Sequence, residues 1–160
     1  MIVGLIFLAF TVAVQGQTTD VETCQLITDA ELPINAYIEG CTTPPCLLPQ
    51  LQDAVINIVF QAPRTMTSMR TLAAAIVHRR IISMPAITYP LGDNALTCNF
   101  LTNSFCPVLA GEVLQYTLKM FIESSFLVGT RATIEFKVVD EADQSVICIR
   151  VPITITPSVA

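Results

Sequence analysis

Hydrophobic and polar residues alternate with a period of two along several separate stretches of this chain, which is the pattern of β-strands with one buried face. The longest alternation places Leu114, Tyr116, Leu118, Met120 and Ile122 on one face, with mostly polar residues between them. Shorter stretches with the same alternation run from Leu32 to Glu39, Val55 to Gln61, Ala132 to Val138 and Val146 to Ile155. The pattern therefore predicts an all-β domain of about seven short strands, as in an immunoglobulin-like β-sandwich.

One stretch, from Thr71 to Ile82, fits two kinds of secondary structure. Its alanines and the spacing of Leu72, Ile76 and Arg80 suit a short helix, whereas its β-branched residues suit a strand. Because the neighbouring elements are strands, we interpret this stretch as a strand.

The segment from Met84 to Pro90 is bracketed by Pro85 and Pro90. Proline lacks a backbone donor, so this segment is expected to run extended along a sheet edge or in a loop. Its apolar and aromatic residues, Met84, Ile87 and Tyr89, would be costly to expose to water. We therefore expect them to form a rim over an apolar interior.

Three segments carry turn and loop residues. Gly40 to Pro49 reads as a turn, Leu91 to Pro107 as a loop, and Asp140 to Gln144 as an acidic hairpin turn. They lie between predicted strands, as the turns and loops of a β-sandwich do. We expect a hydrophobic cavity between its two sheets.

The first sixteen residues have the composition of a secretory signal. Residues 1–16 contain no charged side chain, an apolar run from Ile2 to Val14, and small residues near the expected cleavage site. The run is shorter than the roughly 20 residues of a membrane-spanning helix. The sequence therefore predicts a signal peptide over 1–16 and one domain over 17–160.

Six cysteines in a chain with a secretory signal indicate disulfides in an oxidising compartment. They are Cys24, Cys41, Cys46, Cys98, Cys106 and Cys148. No pair has a C-x-x-C spacing and there is one histidine, which argues against zinc. Six cysteines allow about 15 pairings. The short loops favour Cys41 with Cys46 and Cys98 with Cys106, which would leave Cys24 for Cys148.

The composition limits the partners of the domain. A net charge of -5 argues against a nucleic-acid partner, because neutralisation of phosphates by basic residues supplies most of the affinity for nucleic acid. Hydrophobic residues make up 52% and charged residues 13%, an excess that has to be covered by a ligand or a partner. The basic residues Arg64, Arg70, His78, Arg79 and Arg80 are interpreted as a solvated face, with contact to an anionic lipid headgroup as the alternative.

The inventory of reactive residues does not favour an enzyme. His78 is the only histidine, and there is no G-x-S-x-G motif and no glycine-rich phosphate loop. Asp140, Glu141 and Asp143 lack the glycine and terminal glutamate of a calcium loop, so a hairpin turn explains them. We expect no catalysis, no metal and no cofactor.

The spacing of several motifs resembles that of one family. Cys24, Cys41-x-x-Pro44-Pro45-Cys46, the aromatic pair Tyr89-Pro90, Cys106-Pro107 and Gln144-Ser145-Val146-Ile147-Cys148 are similar to an ML-domain (lipid-recognition) protein of the Niemann-Pick C type 2 branch. The resemblance covers essentially the whole predicted domain. It implies a seven-stranded immunoglobulin-like sandwich whose sheets splay apart around a hydrophobic ligand.

The resemblance also implies features of the site. It supports the disulfides Cys24–Cys148, Cys41–Cys46 and Cys98–Cys106, and it places the guards of the pocket mouth on Tyr89, Ile122 and Phe126, with Leu127 as an alternative counterpart. None of the asparagines has a serine or threonine two residues later, so plain secretion is expected rather than glycan-dependent sorting to lysosomes. The methionines suit irregular or varied ligands, as in the secreted insect members of the family.

These patterns together predict a secreted monomeric carrier of small hydrophobic molecules, such as fatty acids, sterols or semiochemicals, that delivers them to a membrane or receptor. The expected mouth comprises Met84, Ile87, Tyr89, Pro90, Ile122, Phe126 and Leu127. The expected wall comprises Ile58, Phe60, Leu118, Met120, Ile134 and Phe136. The alternative is an extracellular immunoglobulin-like interaction module, or an immune lipid co-receptor, with no transport role.

Overall fold

The computed structural model describes residues 16–24, 30, 32–78 and 85–159. These residues contain strands and two short 3-10 helices, Gly92–Ala95 and Thr97–Phe100. The strands are β1 (Glu22–Thr23), β2 (Asn35–Ile38), β3 (Cys46–Pro49), β4 (Asp53–Gln61), β5 (Met69–Val77), β6 (Ile87–Tyr89), β7 (Val113–Phe121), β8 (Arg131–Asp140) and β9 (Ser145–Thr156). Across these ranges there is no helix of the length and hydropathy needed to cross a membrane.

The strands form two sheets, and the predicted immunoglobulin-like sandwich is confirmed. The smaller sheet has the order β2-β4-β7, and the larger has the order β1-β9-β8-β5-β6 with β3 pairing alongside β9. All pairings are antiparallel except that of β3 with β9. β6 and β7 therefore lie at the edges of their sheets.

The inner face of the larger sheet is built from rows of residues paired across β5, β8 and β9. In order along the strands, the rows are Val77–Ala132–Ile153, Ala75–Ile134–Val151, Ala73–Phe136–Ile149 and Thr71–Val138–Ile147. The smaller sheet contributes the buried pairs Ala54–Met120, Ile56–Leu118, Ile58–Tyr116 and Phe60–Leu114. We number the rows one to four in this order, and we call the end at row one the mouth end and the end at row four the filled end.

A hydroxyl network fixes how the two sheets face each other. Tyr116 Oη lies 2.7 Å from Thr71 Oγ1, which lies 2.8 Å from Thr97 Oγ1. All three side chains are buried, so their polar atoms need partners inside the core. Row four therefore packs against Tyr116, at the filled end.

The six cysteines form the disulfides Cys24–Cys148, Cys41–Cys46 and Cys98–Cys106, the three pairs expected above. The first joins the chain just after β1 to β9, across 124 residues of sequence. It ties the beginning of the folded region to its last strand. Disulfides of this kind are typical of proteins in an oxidising compartment.

Two local expectations were wrong. The strand predicted from Leu32 begins only at Asn35, and Leu32 and Ile34 are exposed. The pairing register would place Leu32 opposite Ala62, beyond the last residue of β4, and Pro33 has no N–H to donate. The turn assigned to Gly40 to Pro49 ends in a short strand, β3, which pairs in parallel with β9.

The ambiguous stretch is a strand as far as it can be followed, because β5 runs through Val77. Met84–Pro90 was expected at a sheet edge, and β6 confirms this for Ile87–Tyr89. The predicted signal peptide over 1–16 stays a prediction, since only Gly16 of it is described. Met84, Arg79, Arg80 and the pair Ile81-Ile82 also lie outside the described residues.

The described members of the basic cluster do not gather at one point. Arg64 Nη2 lies 2.6 Å from Asp140 Oδ2, and Arg70 is paired with Asp143. His78 Nε2 lies 2.7 Å from Thr133 Oγ1. Arg70 and His78 are separated by about 26 Å along a strand with a rise of about 3.3 Å per residue.

Candidate ligand-binding cavity

A cavity of about 330 Å3 lies between the two sheets at the mouth end. Its wall is drawn from both sheets, from the rim strand β6 and from the loop between β7 and β8. The lining residues are Leu48, Ala74, Ala75, Val77, Ile87, Thr88, Tyr89, Met120, Ile122, Ser125, Phe126, Leu127, Thr130, Ala132, Ile134, Ile153 and Ile155.

Small side chains in rows one and two leave this end hollow. Row one contributes Ala132 and row two contributes Ala75, and both line the cavity. No residue of row three or row four lines it. Well-packed protein interiors have few voids larger than a water molecule, so a space of this size stands out from ordinary core packing.

The rim is held in place by contacts between β6, β7 and the following loop. Tyr89 Oη donates a hydrogen bond of 3.1 Å to the carbonyl oxygen of Phe121, at the end of β7. The Tyr89 and Phe126 rings meet edge to face, with their centroids 5.8 Å apart. Gln50 Nε2 donates to the carbonyl oxygens of Ser124 and Phe126. The loop that carries Phe126 is thereby positioned against the rim.

The electrostatics of the rim keep its phenol protonated. Partial burial, with a smaller contribution from the negative charge of Glu123, raises the pKa of Tyr89 above its ordinary value of 10.0. Tyr89 therefore remains a hydrogen-bond donor at neutral pH.

The wall is apolar and contains no charged side chain. The polar side chains among the lining residues are those of Thr88, Tyr89, Ser125 and Thr130, each of which carries a hydroxyl. Within the described ranges, no group of three or more His, Cys, Asp or Glu residues could hold a metal ion. This composition suits an apolar ligand that offers at most a small polar group to the hydroxyls.

Exposed apolar residues continue the cavity wall toward solvent. The side chain of Leu127 is 77% exposed and that of Ile87 is 55% exposed, and both line the cavity. Val128, next in the loop, is also exposed. An apolar molecule would therefore meet apolar surface before it enters.

Seven of the predicted site residues line the cavity. They are Ile87, Tyr89, Met120, Ile122, Phe126, Leu127 and Ile134. The structure brings together the proline-bracketed segment, the end of β7 and the loop after it, which are far apart in sequence. Contact of these residues with a ligand stays a prediction.

The remaining predicted site residues that the structure describes do not line the cavity. Ile58, Phe60, Leu118 and Phe136 are buried in the core and do not line the cavity. Pro90 is exposed just after β6, and Met84 lies outside the described residues. Alternation identified the buried face of each strand, but it could not show which part of that face borders a void.

Several lining residues were not anticipated. Ala75 and Ala132 create the space, and Ile153 and Ile155 on β9 close it from the larger sheet. The isoleucines were visible as an alternating pattern in the last strand. The alanines carried no comparable signal, because alanine is common in all kinds of structure.

A second, wider depression of about 680 Å3 lies beside β2, between residues 16–21 and 32–36. It is bordered in sequence by residues 25–29 and 31, which are outside the described ranges. Thr19, in its wall, is tied to β2 and to Cys41 by hydrogen bonds. The cavity between the sheets is the better candidate site, because two complete layers of the fold enclose it.

The architecture defines a class of protein: a disulfide-linked β-sandwich with an apolar cavity that opens between its sheets. A family model for the ML domain matches residues 15–155, so the chain belongs to the ML-domain family. The resemblance found in the sequence is thereby confirmed.

The chain is similar to proteins of solved structure, among them two of low sequence identity. The Niemann-Pick type C2 protein from the Japanese carpenter ant matches with a TM-score of 0.64 at 16% sequence identity, over 86% of this chain and 99% of that chain. Chicken MD-1, solved in complex with lipid IVa, matches with a TM-score of 0.41 at 14% identity, over 64% of this chain and 70% of that chain.

Proposed function

We propose that the protein binds a small hydrophobic molecule in the cavity between its sheets and carries it through an aqueous compartment. The observation that carries this proposal is an apolar cavity of about 330 Å3 with no charged side chain in its wall. Membership of the ML-domain family supports the same class of ligand, a lipid or lipid-like molecule. Fatty acids, sterols and semiochemicals are the candidate ligands.

The energetics of burial are compatible with reversible binding. Burying one methylene contributes about 0.8 kcal/mol, so a chain of about twelve carbons contributes about 10 kcal/mol before costs. Association costs on the order of 4 to 15 kcal/mol in lost freedom. With the smallest of these costs, about 6 kcal/mol remains, so a dissociation constant of roughly tens of micromolar is expected, which suits a carrier that must also release its ligand.

The proposed cellular setting follows from the disulfides and the rim. Three disulfides support an oxidising compartment, and the predicted signal peptide supports secretion. The exposed Ile87 and Leu127 beside the opening provide a surface through which a membrane or a receptor could receive the ligand. No step of this function requires a reaction at the site.

Displacement of an environment-sensitive fluorescent probe by straight-chain alcohols and fatty acids tests the proposal. Ala75→Leu places a larger side chain in the cavity and should weaken binding at least tenfold. Ala110→Leu adds the same side chain at an exposed position of the filled end and should leave binding unchanged. Circular dichroism confirms that both variants are folded.

Two results would contradict the proposal. One is a folded protein that binds neither the probe nor any alcohol, acid or sterol. The other is equal binding by Ala75→Leu and the unaltered protein. The first result, with stable homodimers in solution, would favour an extracellular interaction module instead.

A further inference from the structure

We propose that Gln50 is the positioning residue that holds the loop between β7 and β8 over the cavity mouth, and that it thereby sets how fast the ligand leaves. The inference rests on the proposed function and adds a determinant of ligand release to it. Gln50 does not itself line the cavity. It acts through the loop residues that do, which are Ser125, Phe126 and Leu127.

The backbone around Gln50 is fixed to both sheets. Its N–H donates a hydrogen bond of 3.0 Å to the carbonyl oxygen of Thr156, the last residue of β9 in the larger sheet. The N–H of Leu51 donates over 2.7 Å to the carbonyl oxygen of Ile122, just after β7 in the smaller sheet. The N–H of Ile122 donates over 2.9 Å to the carbonyl oxygen of Gln52. The side chain of Gln50 therefore extends from a turn that is anchored on two sides.

The loop between β7 and β8 has few other hydrogen bonds to the rest of the molecule. It is held at its first residue, Ile122, and at its far end by two backbone hydrogen bonds with Ile155. Gln50 Nε2 donates over 3.1 Å to the carbonyl oxygen of Ser124 and over 2.5 Å to that of Phe126. Within the described ranges, no other residue outside the loop hydrogen bonds to residues 123–128. The middle of the loop therefore depends on one side chain for its position.

The bonds from Gln50 act on the part of the loop that closes the mouth. Phe126 is half-buried, packs against the core and meets the ring of Tyr89 edge to face. Holding its carbonyl oxygen fixes the backbone from which its ring extends into the cavity wall. Because each hydrogen bond contributes only modestly to stability, the loop can open while both sheets stay folded. Loss of the two bonds would therefore widen the mouth more often.

Dissociation of a dansyl-labelled fatty acid, followed by stopped-flow fluorescence, tests the role of Gln50. Gln50→Glu keeps the size of the side chain but replaces its donor with a carboxylate, which repels the carbonyl oxygens of Ser124 and Phe126. The dissociation rate should rise about fivefold to twentyfold, because two hydrogen bonds are lost. Gln50→Lys restores a donor of similar reach, so its rate should lie within about twofold of that of the unaltered protein.

Gln52→Glu is the matched control. Gln52 belongs to the same turn, is partly buried as Gln50 is, and makes no side-chain hydrogen bond to another described residue. Its substitution adds the same charge and should leave the dissociation rate unchanged. The nuclear Overhauser contact between the rings of Tyr89 and Phe126 should be lost in Gln50→Glu and kept in Gln52→Glu. A general loss of stability would not produce this signature in a folded variant.

Equal dissociation rates for Gln50→Glu and Gln52→Glu, in proteins that still bind the fatty acid, would overturn the inference and leave the carrier function intact. Failure of the unaltered protein to bind the labelled fatty acid, straight-chain alcohols or sterols would instead contradict the proposed function, and this inference with it.

A measurement without substitution covers the case in which Gln50→Glu does not fold. In the unaltered protein, the side-chain amide protons of Gln50 should exchange with water more slowly than those of Gln52, as measured by saturation transfer from water. The difference should grow when dodecanoic acid is bound, because the closed loop keeps the two bonds formed. Equal exchange at the two glutamines, or no change on binding, would overturn the inference.

Discussion

The two ends of the sandwich share one backbone plan but differ in what fills them. At the filled end Phe60, Leu114 and Tyr116 are each at most 1% exposed, and none of them lines the cavity. At the mouth end the same two sheets enclose about 330 Å3 of apolar space. The difference arises from side-chain volume and from the loop that stands over the opening.

Two alanines on one strand show what decides the outcome. Ala73 pairs with Phe136, and both are buried without lining the cavity. Ala75 pairs with Ile134, and the space it leaves is part of the cavity. A small residue makes a cavity only where its neighbours across the sheet and in the opposite layer do not compensate for its size.

Ionisable groups are also divided between the ends. Three carboxylates with lowered pKa values, Glu112, Asp140 and Glu141, lie at the filled end. They accept hydrogen bonds from neighbouring groups: Arg64 donates to Asp140, and the Ser104 hydroxyl and then the backbone N–H of Leu109 donate to Glu112. The wall of the mouth end has hydroxyls and no charge. The carboxylates with lowered pKa values therefore lie at the filled end, and the candidate ligand contacts lie at the mouth end.

The largest expected effect is on stability at the filled end. Phe60→Ala should lower the free energy of unfolding by about 3 to 5 kcal/mol, because it leaves a cavity in a packed core. The folded fraction should bind alcohols with unchanged affinity. Urea denaturation measures the free energy of unfolding, and probe displacement measures the affinity. A loss of affinity in folded Phe60→Ala would contradict the view that the filled end does not take part in ligand binding.

The same substitution placed at each end sharpens the comparison. Ala62 is 1% exposed, so Ala62→Leu overpacks the core around it. This variant should lower the free energy of unfolding by about 1 to 3 kcal/mol without changing the affinity for ligand. Ala132→Leu extends into the void, so it should destabilise less and weaken ligand binding at least tenfold. The account fails if Ala132→Leu is the more destabilising variant and binds normally.

Two exposed loop leucines provide a milder test of the opening. Leu127 beside the cavity is 77% exposed, and Leu109 at the filled end is 66% exposed. Leu127→Glu should slow the transfer of a fluorescent fatty acid from neutral vesicles by about threefold to tenfold, since a carboxylate replaces apolar surface at the entrance. Leu109→Glu should have no such effect, and both should stay within about 0.5 kcal/mol of the original stability. Equal transfer rates for the two variants would count against Leu127 as part of the entrance.

The smallest expected effect is on the free energy of unfolding at low pH. Burial alone would raise the pKa of Asp140, but hydrogen bonds from Arg64, Gln144 and Ala142 outweigh it and lower the pKa below its ordinary value of 3.8. A lowered pKa contributes stability above the ordinary value, and that contribution is lost as the pH falls through the folded-state pKa.

Asp140→Asn should therefore reduce the unfolding free energy at neutral pH and make its decline below about pH 4 shallower. Chemical denaturation at a series of pH values measures both. An unchanged acid slope in this variant would show that the pairing of Asp140 with Arg64 does not contribute.

Much of the fold could be predicted from alternation alone. The strands β4, β7, β8 and β9 follow clear patterns with a period of two, and the proline bracket placed Tyr89 at a sheet edge. β3 could not be predicted, because it has four residues, ends in proline and follows a turn-rich segment. Its pairing with β9 depends on tertiary contacts that no local pattern records.

The candidate site was predictable at its rim and less so in its depth. Tyr89, Ile122 and Phe126 were identified from sequence and motif, and all three line the cavity. Ile58 and Phe60 were chosen because they face inward, but whether an inward side chain borders a void depends on the volumes around it. Ala75 and Ala132 border the void because their side chains are too small to fill it.

Native mass spectrometry of the protein, purified without detergent from its natural source, tests the central claim most directly. The account predicts one copy of a small apolar molecule per chain, which solvent extraction should identify as a fatty acid, a sterol or a similar lipid-like compound. A protein that is empty as isolated, and that stays empty after incubation with straight-chain alcohols and fatty acids, would contradict the account.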